Sequence, residues 1–423
     1  MAGGRGTRIA ELFPNIPKPL IPVDGIPILE REIRSLASQG FKDLTLTVGY
    51  LADKIMAYFG DGSQLGVKID YFVEETPLGN AGALFQLRDK IGDEPFFLLN
   101  ADAAFDVDFN RMLAFHRQHG GLVTLFTHPN SHPYDSGLII ADKDGHVEKW
   151  LSKEDERPQW YNNRVNAGLH IIDPHVLELS LEYLEIDPQT GFPKGKVDLD
   201  RQILKPLCGT GKMYCYDSPE YVKDMGTPER FHQVEADYRN GVVQARNLKN
   251  RQKAIFLDRD GTINKYVGFL RNIDDFELID GVAEAIKLIN QSSYLAIVVT
   301  NQPVIARGEV SWEELDEIHK KMDTLLGKEG AYIDGIYICP HHPDKGFEGE
   351  RPEYKFDCDC RKPKPGLLLQ AAKDFNIDLS QSIMIGDSER DVEAGKNAGC
   401  RESLMIGTNG EEELLDVVSN MIR

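Results

Sequence analysis

Two carboxylates stand two residues apart where an apolar run ends, in Ile255-Phe256-Leu257-Asp258-Arg259-Asp260-Gly261-Thr262. Strand alternation points Asp258 and Asp260 the same way, so one could attack phosphorus while the other handles a proton. Carboxylates that form an aspartyl-phosphate are established nucleophiles. Their charge beside a phosphate demands a cation between them. A second apolar run ends in Thr300-Asn301-Gln302, which offers donors for phosphate oxygens, and Arg361-Lys362-Pro363-Lys364-Pro365-Gly366 brings cations to the start of a helical stretch. A fourth run ends in Gly386-Asp387-Ser388, with Asp391 following, and offers a carboxylate for magnesium. An Asp-x-Asp-Gly after a strand is often a solvated turn. Four such pieces in order at successive strand ends are hard to obtain by chance.

Between the second and third pieces lie Cys339-Pro340-His341-His342-Pro343 and Cys358-Asp359-Cys360. Three thiolates and one imidazole suit tetrahedral Zn²⁺ and leave no open position, so the metal is expected to be structural and to fix the loop leading into Arg361 and Lys362. Spacing does not decide between His341 and His342. The other cysteines, Cys208, Cys215 and Cys400, stand apart.

The first residues carry a different chemistry. Ala2-Gly3-Gly4-Arg5-Gly6-Thr7-Arg8 offers backbone amides that could wrap a triphosphate, with Arg8 and the Lys18 of Pro17-Lys18-Pro19-Leu20 to neutralise it. A lone glycine-rich stretch at a chain start is weak evidence. Here it is followed by Glu75-Thr76-Pro77-Leu78-Gly79-Asn80-Ala81-Gly82, Asn100-Ala101-Asp102, Glu148-Lys149, Val165-Asn166-Ala167-Gly168 and Asp224-Met225-Gly226-Thr227-Pro228.

Elements that could position these groups alternate along the chain. Strands are predicted at Asp43 to Val48, Val67 to Val73, Pro95 to Leu99, Leu122 to Thr127 and Val165 to Ile172, with helical spacing at Ile28 to Ala37 and Ala81 to Ile91. That is a parallel α/β pattern, with a hairpin over Ser136 to Trp150 turning at Lys143-Asp144-Gly145. From Lys253 the alternation restarts and forms a second α/β layer structure. At 423 residues two domains are expected, 1–232 and 253–423, joined by a linker helix over 233–252. A net charge of −20 argues against a nucleic-acid surface. No basic-then-apolar leader and no run of about 18 apolar residues is present. The expectation is a cytoplasmic enzyme of phosphate-bearing small molecules, with no membrane partner and an oligomer compatible with everything in the sequence.

The four C-terminal motifs resemble those of the haloacid dehalogenase phosphatases. The resemblance implies Asp258 as nucleophile, Asp260 as general acid/base, Thr300 and Lys362 as phosphoryl-binding groups with Lys364 as the alternative lysine, and Asp387 with Asp258 and the Asp260 backbone around Mg²⁺. The zinc loop, with Thr300-Asn301-Gln302 running into Ile305-Ala306-Arg307-Gly308, looks like the branch of D-glycero-D-manno-heptose 1,7-bisphosphate 7-phosphatases over about residues 253 to 415. It favours His341 as the fourth ligand, implies Asn301, Gln302 and Arg361 as substrate-binding residues, and places a flap from Tyr266 to Phe269 near the sugar. Histidinol-phosphate phosphatases share the loop. Where relatives show Ser-Gly after the Gln, this chain has Pro303-Val304.

The N-terminal motifs look like the sugar-1-phosphate nucleotidyltransferases, with a Rossmann-like (GT-A-like) fold, over about residues 1 to 232. The resemblance implies attack of a sugar-1-phosphate oxygen on the α-phosphorus of a nucleoside triphosphate, GTP by analogy, with a second Mg²⁺. Asp102 and Asp224 match the metal carboxylates, and Arg8 and Lys18 the phosphate cations. Gly3, Gly4, Gly6 and Thr7 match the phosphate loop. Gly79 and Asn80 approach the base or sugar, and Glu148, Lys149 and Asn166 the sugar phosphate. Family members carry an apolar strand before the Ala-Gly-Gly, and Met1 stands where that strand would end. Their Glu-Lys-Pro reads Glu148-Lys149-Trp150 here. Together the halves imply a bifunctional enzyme of nucleotide-heptose synthesis. A hexose 1-phosphate such as mannose 1-phosphate as the sugar, or an N-terminal half that binds sugar nucleotides without catalysis, are the competing expectations.

Overall fold

A computed structural model of the chain describes Met1, Ile9 and residues 11–101, 103–409 and 414–422. Gly3, Gly4, Gly6, Thr7, Arg8 and Asp102 lie outside the described residues. The chain divides into two compact units, each discontinuous. Unit 1 comprises Met1–Thr127, Ile139–Trp150 and Asn166–Asn247, and unit 2 comprises His128–Leu138, Leu151–Val165 and Leu248–Arg423.

Unit 2 is built on five parallel strands: β1 (Lys253–Leu257), β2 (Tyr294–Asn301), β3 (Gly335–Cys339), β4 (Ile383–Gly386) and β5 (Glu402–Met405), in the order β3-β2-β1-β4-β5. The three central strands are apolar at nearly every position because both faces of the sheet are covered. Ile255, Leu257, Ala296, Val298, Ile383 and Ile385 fill one cluster with α1 (Val282–Asn290), α2 (Trp312–Lys328) and the helix Leu414–Ile422. Their alternate neighbours Ala254, Phe256, Leu295, Ile297, Val299 and Met384 fill the other with α3 (Gly366–Asp374) and Ala394 of α4 (Glu389–Ala398). The period of two thus divides each strand between two cores. Strand order reverses beside β1, and in such sheets ligands bind past the carboxyl ends of the strands at that switch point. Asp258 and Asp387 each follow the last residues of adjacent strands there.

The two remaining pieces of unit 2 pack on α2. The Tyr161 N–H donates to Thr324 Oγ1 at 2.9 Å, and that hydroxyl lies 3.1 Å from the Tyr161 carbonyl. The Asn163 N–H donates to Asp323 Oδ2 at 3.1 Å. Lys321 and Lys328 sit over the Trp160 ring at 5.4 and 5.7 Å.

In unit 1 the parallel pattern expected from sequence is corrected to a mixed one. Val123–His128 pairs with Met213–Asp217 in parallel, as does Asp43–Val48 with Lys68–Val73. Phe96–Leu99 pairs antiparallel with Val165–Ile172, and Ala103–Asp106 with Tyr221–Asp224. The hairpin forms with strands Leu138–Ala141 and Val147–Leu151, turning through Gly145 at φ +83°. Ala81 to Ile91 is two short helices, Gly82–Gln86 and Arg88–Ile91, not one. The Met1 ammonium donates to Leu99 O at 2.6 Å, and the Ala101 N–H to Met1 O at 3.1 Å. The helix Pro228–Arg239, capped by Thr227, buries Phe231, Val234 and Tyr238 against Ile21, Val23 and Ile28, so the start of the stretch expected to be a linker helix belongs to a core. Among the described residues no helix is long and apolar enough to cross a membrane.

Candidate functional site

In unit 2, Asp258 lies directly past β1 and receives Lys362 Nζ on Oδ1 at 2.7 Å. The same ammonium reaches Asp391 Oδ1 at 2.6 Å and the Val299 carbonyl at 2.7 Å, so its three protons are all engaged in a buried position. Asn301 grips the Lys362 backbone from both sides, donating to its carbonyl at 3.1 Å and accepting from its N–H at 3.0 Å. Its amide therefore fixes the lysine. Lys364, the alternative lysine, pairs with Asp357 at 2.7 Å near the surface.

Asp258, Asp387 and Asp391 each place a carboxylate oxygen within 4.8 Å of the others. Hard cations take such oxygen sets, and the donors fit a magnesium-like ion. The charges need one: burial pushes the Asp258 carboxyl up to about 7, with Asp391 and Asp260 adding to the rise and Lys362 opposing it. A bound cation inverts that balance. Asp387 is likewise raised, by burial first and then by Asp391, while Thr408 Oγ1 donates to it at 3.1 Å. Gly261 is required where it stands. Its φ is +89°, and a Cβ there would come within 2.2 Å of Asp387 Oδ2.

Among the described residues, Asp260 is held by donors alone. Arg259 Nη2 lies 2.9 Å from both its oxygens, Gln302 Nε2 2.7 Å from Oδ2, and Asn264 Nδ2 3.1 Å from Oδ1. Burial raises this carboxyl, but Arg259, Gln302 and Asn264 outweigh it and hold the group below its usual value. Gln302 also donates to Thr300 Oγ1 at 2.8 Å, tying the ends of β1 and β2 together. Arg361 Nη1 donates to the His341 carbonyl at 3.2 Å. Tyr266, Val267 and Phe269 are exposed, and the Tyr266 N–H donates to Asn409 Oδ1.

Cys339, His341, Cys358 and Cys360 converge with all ligand atoms within 4.8 Å. Sulfur separations of 3.5 Å (Cys339 to Cys358) and 3.3 Å (Cys358 to Cys360) exclude disulfides and approach the edge of about 3.8 Å that a tetrahedron of about 2.3 Å metal–sulfur bonds would have. His341 Nδ1 lies 3.2 Å from Cys360 Sγ, whereas His342 turns to Asp344, whose N–H donates to His342 Nδ1 at 3.3 Å. The geometry selects His341.

In unit 1 the described predicted residues fall into four groups. Asp224 ends the strand Tyr221–Asp224 opposite Ala103, and its Oδ1 accepts from Lys18 at 3.3 Å and the Gly226 N–H at 2.9 Å. Its Oδ2 accepts from Arg230 at 2.8 Å. Burial raises Asp224, and Lys18 and Arg230 outweigh it. Gly79, at φ +83°, packs on the backbone of Val197, where a Cβ would lie 2.3 Å from the carbonyl, and Asn80 Oδ1 accepts from the Leu199 N–H at 2.7 Å. Glu148 and Lys149 are exposed on Val147–Leu151. Asn166 Oδ1 accepts from the Gly168 N–H at 3.3 Å and lies 3.2 Å from His170 Nε2. Gly168 is bare because Asn100 Nδ2 would lie 2.5 Å from a Cβ there.

Sequence reading did not single out Arg259, His319, Asn264 or Arg230, and gave Asp391 no role. Asp391 had a signal, since Ser388-x-x-Asp391 is a helix-start pattern and both halves of that capping box form. His319, distant in sequence from Arg259, had none.

The sequence profile described as nucleotidyl transferase matches residues 1–241, and one described as HAD-hydrolase-like matches residues 359–418. The D-glycero-beta-D-manno-heptose-1,7-bisphosphate 7-phosphatase of Pasteurella multocida is 48% identical over 158 residues, covering 37% of this chain and 83% of its own length. The D-glycero-alpha-D-manno-heptose-1,7-bisphosphate 7-phosphatase of Burkholderia mallei is 39% identical over 176 residues, 42% of this chain and 90% of its own. A solved structure of D,D-heptose 1.7-bisphosphate phosphatase from B. bronchiseptica, complexed with magnesium and phosphate, is 32% identical over 40% of this chain and 98% of that one, with a TM-score of 0.36. The chain belongs to the nucleotidyl transferase family through its N-terminal half and, through its C-terminal half, to the haloacid dehalogenase-like hydrolases that include the heptose-bisphosphate phosphatases.

Proposed function

We propose that this chain carries out two reactions of nucleotide-activated heptose synthesis: removal of the 7-phosphate from D-glycero-D-manno-heptose 1,7-bisphosphate, and transfer of a nucleotidyl group from GTP to the resulting heptose 1-phosphate with release of pyrophosphate. The order follows from the phosphate each reaction needs. The observation that carries the reading is the buried Asp258, Lys362 and Asp391 cluster at the switch point of the unit 2 sheet.

Asp258 attacks the 7-phosphorus, Lys362 and Thr300 steady the phosphoryl oxygens, and Asp260 handles the proton. Asp258, Asp387 and Asp391, with the Asp260 backbone, would hold Mg²⁺, which would supply charge neutralisation and keep Asp258 ionised. Asn301 and Gln302 act by fixing Lys362 and Asp260, and Arg361 and Tyr266 face the sugar. Cys339, His341, Cys358 and Cys360 would hold a structural Zn²⁺, since four protein ligands close its shell, and it would anchor the segment that delivers Lys362. In the transferase, positioning and charge neutralisation dominate, as in other phosphoryl transfers. Gly3, Gly4, Gly6, Thr7, Arg8 and Lys18 hold the triphosphate, Asp102 and Asp224 the second Mg²⁺, Gly79 and Asn80 the nucleoside, and Glu148, Lys149 and Asn166 the sugar phosphate. The domain limits proposed for these activities are 1–232 and 253–423. A cytoplasmic enzyme with small-molecule substrates fits this chemistry.

The test is a product assay of the purified chain with heptose 1,7-bisphosphate and each nucleoside triphosphate in turn. Phosphate release followed by GTP-dependent pyrophosphate is the expected result. Phosphate release with no pyrophosphate from any triphosphate would remove the transferase half of the proposal. Preference for histidinol phosphate or mannose 1-phosphate would replace the sugar.

A further inference from the structure

Two buried side chains of unit 2, Arg259 and His319, have no role in the chemistry above. Arg259, between the two carboxylates in sequence, is among the largest fully buried side chains of the chain. Its Nη2 donates to both oxygens of Asp260 at 2.9 Å and its Nε adds a contact at 3.2 Å. Nη1 turns the other way and lies 3.0 Å from Nε2 of His319, a buried residue of α2. A guanidinium can only donate, so His319 accepts through Nε2 and its ring is neutral. Burial and the adjacent Arg259 push the His319 pKa down to about 3, which agrees with that tautomer. Without the imidazole, a guanidinium N–H would be buried unpaired, which is costly.

Every described partner of the Asp260 carboxyl is a donor: Arg259, Gln302 and Asn264. The site therefore receives Asp260 as an acceptor, the form that takes a proton.

We propose that Arg259, braced by His319, is a positioning pair that holds Asp260 as the base for hydrolysis of the aspartyl-phosphate. The inference rests on the phosphatase reading above. In this step a water oxygen attacks the phosphorus carried on Asp258, and one water proton passes to Asp260. The bond between phosphorus and the Asp258 oxygen breaks, its electron pair returns to the Asp258 carboxylate, and inorganic phosphate leaves. The proton now on Asp260 is the one given to the sugar oxygen in the next turnover.

The experiment is a rapid acid quench of the full chain with Mg²⁺ and ³²P-labelled 4-nitrophenyl phosphate. That leaving group needs no proton, so only the base step is read. Arg259→Met is expected to release one burst of nitrophenol per enzyme, accumulate labelled protein and then turn over about 100-fold more slowly than wild type, a loss typical of general-base removal. KM should not rise. His319→Leu is expected to show the same signature at about tenfold, and His319→Gln, whose carbonyl can accept from Arg259, to restore the rate. These histidine variants carry the test if Arg259→Met does not fold. Slower turnover without labelled protein would overturn the proposal, as would His319→Gln being as impaired as His319→Leu. If Asp258→Asn hydrolyses 4-nitrophenyl phosphate as fast as wild type, the phosphatase reading itself fails, an outcome separate from either of these.

Discussion

Asp258 and Asp224 are both carboxylates at a strand end with a lysine on one oxygen, but their settings differ. The Lys362 to Asp258 contact is 2.7 Å, with side chains 3% and 12% exposed, while Lys18 to Asp224 is 3.3 Å, with side chains 10% and 43% exposed. Breaking a buried pair leaves an uncompensated charge and costs about 3–5 kcal/mol, whereas exposed pairs contribute about 0–1 kcal/mol. The unit 2 cluster is assembled by parallel strand ends, with its charged side chains already in contact. The unit 1 residues hang on antiparallel strands and loops. A preassembled, buried cluster therefore depends on each member more strongly than a more exposed pair does.

The largest expected effect falls on the two carboxylates themselves. Asp258→Asn should lower phosphate release at least a thousandfold, since it removes the proposed nucleophile, and leave pyrophosphate release within about twofold. Asp224→Asn should do the reverse, reducing GTP-dependent pyrophosphate release with phosphate release unchanged. Steady-state assays of both activities in each variant check this. If either substitution impairs both reactions equally, the two sites are not the independent constructions described.

A middle-sized effect concerns the zinc proposed for the cysteine quartet beside the preassembled site. Cys360→Ser should lose bound zinc and lower phosphatase activity about tenfold or more, because the segment carrying Lys362 loses its anchor. Metal content and both activities should be read together. Full phosphatase activity in zinc-free protein would show that the Asn301 grip on the Lys362 backbone suffices.

Much of the preassembled site is legible in sequence because each member follows an apolar run. Asp258, Thr300 and Asp387 end strands whose composition marks them as doubly covered, and the cysteine quartet announces itself by residue type. What periodicity cannot carry is contact between distant segments. His319 meets Arg259 across 60 positions, and the stretch from Leu151 to Val165 lies between two strands of the N-terminal half yet packs in unit 2. Ala81 to Ile91 shows the local limit, since its apolar spacing suits one helix but the chain breaks at Leu87, which ends one short helix and precedes another. Unit 1 reads as parallel because its strands and helices alternate, while strand direction, which alternation does not specify, makes pairings such as Phe96–Leu99 with Val165–Ile172 and Ala103–Asp106 with Tyr221–Asp224 antiparallel.

The smallest predicted effect tests that hidden packing on α2. Asp323 accepts the Asn163 N–H at 3.1 Å, and burial raises its carboxyl to about 7 while that hydrogen bond and Arg164 oppose the rise. Its folded pKa therefore lies above the unfolded value. The contribution to stability is fully present below the ordinary carboxylate range and is lost as pH rises through about 7. Replacing Asp323 with Asn keeps an acceptor for Asn163 and removes the charge. At saturating Mg²⁺, which holds the Asp258 cluster constant, Asp323→Asn should melt a few degrees above wild type at pH 8, a difference of about 1–2 kcal/mol, and the difference should shrink steadily as pH falls toward the ordinary carboxylate range. Parallel melting curves across that range would mean that water reaches Asp323 and that its charge costs the fold nothing. The Tyr161 contacts to Thr324 would then hold the Leu151 to Val165 segment on α2 without help from a neutral carboxyl.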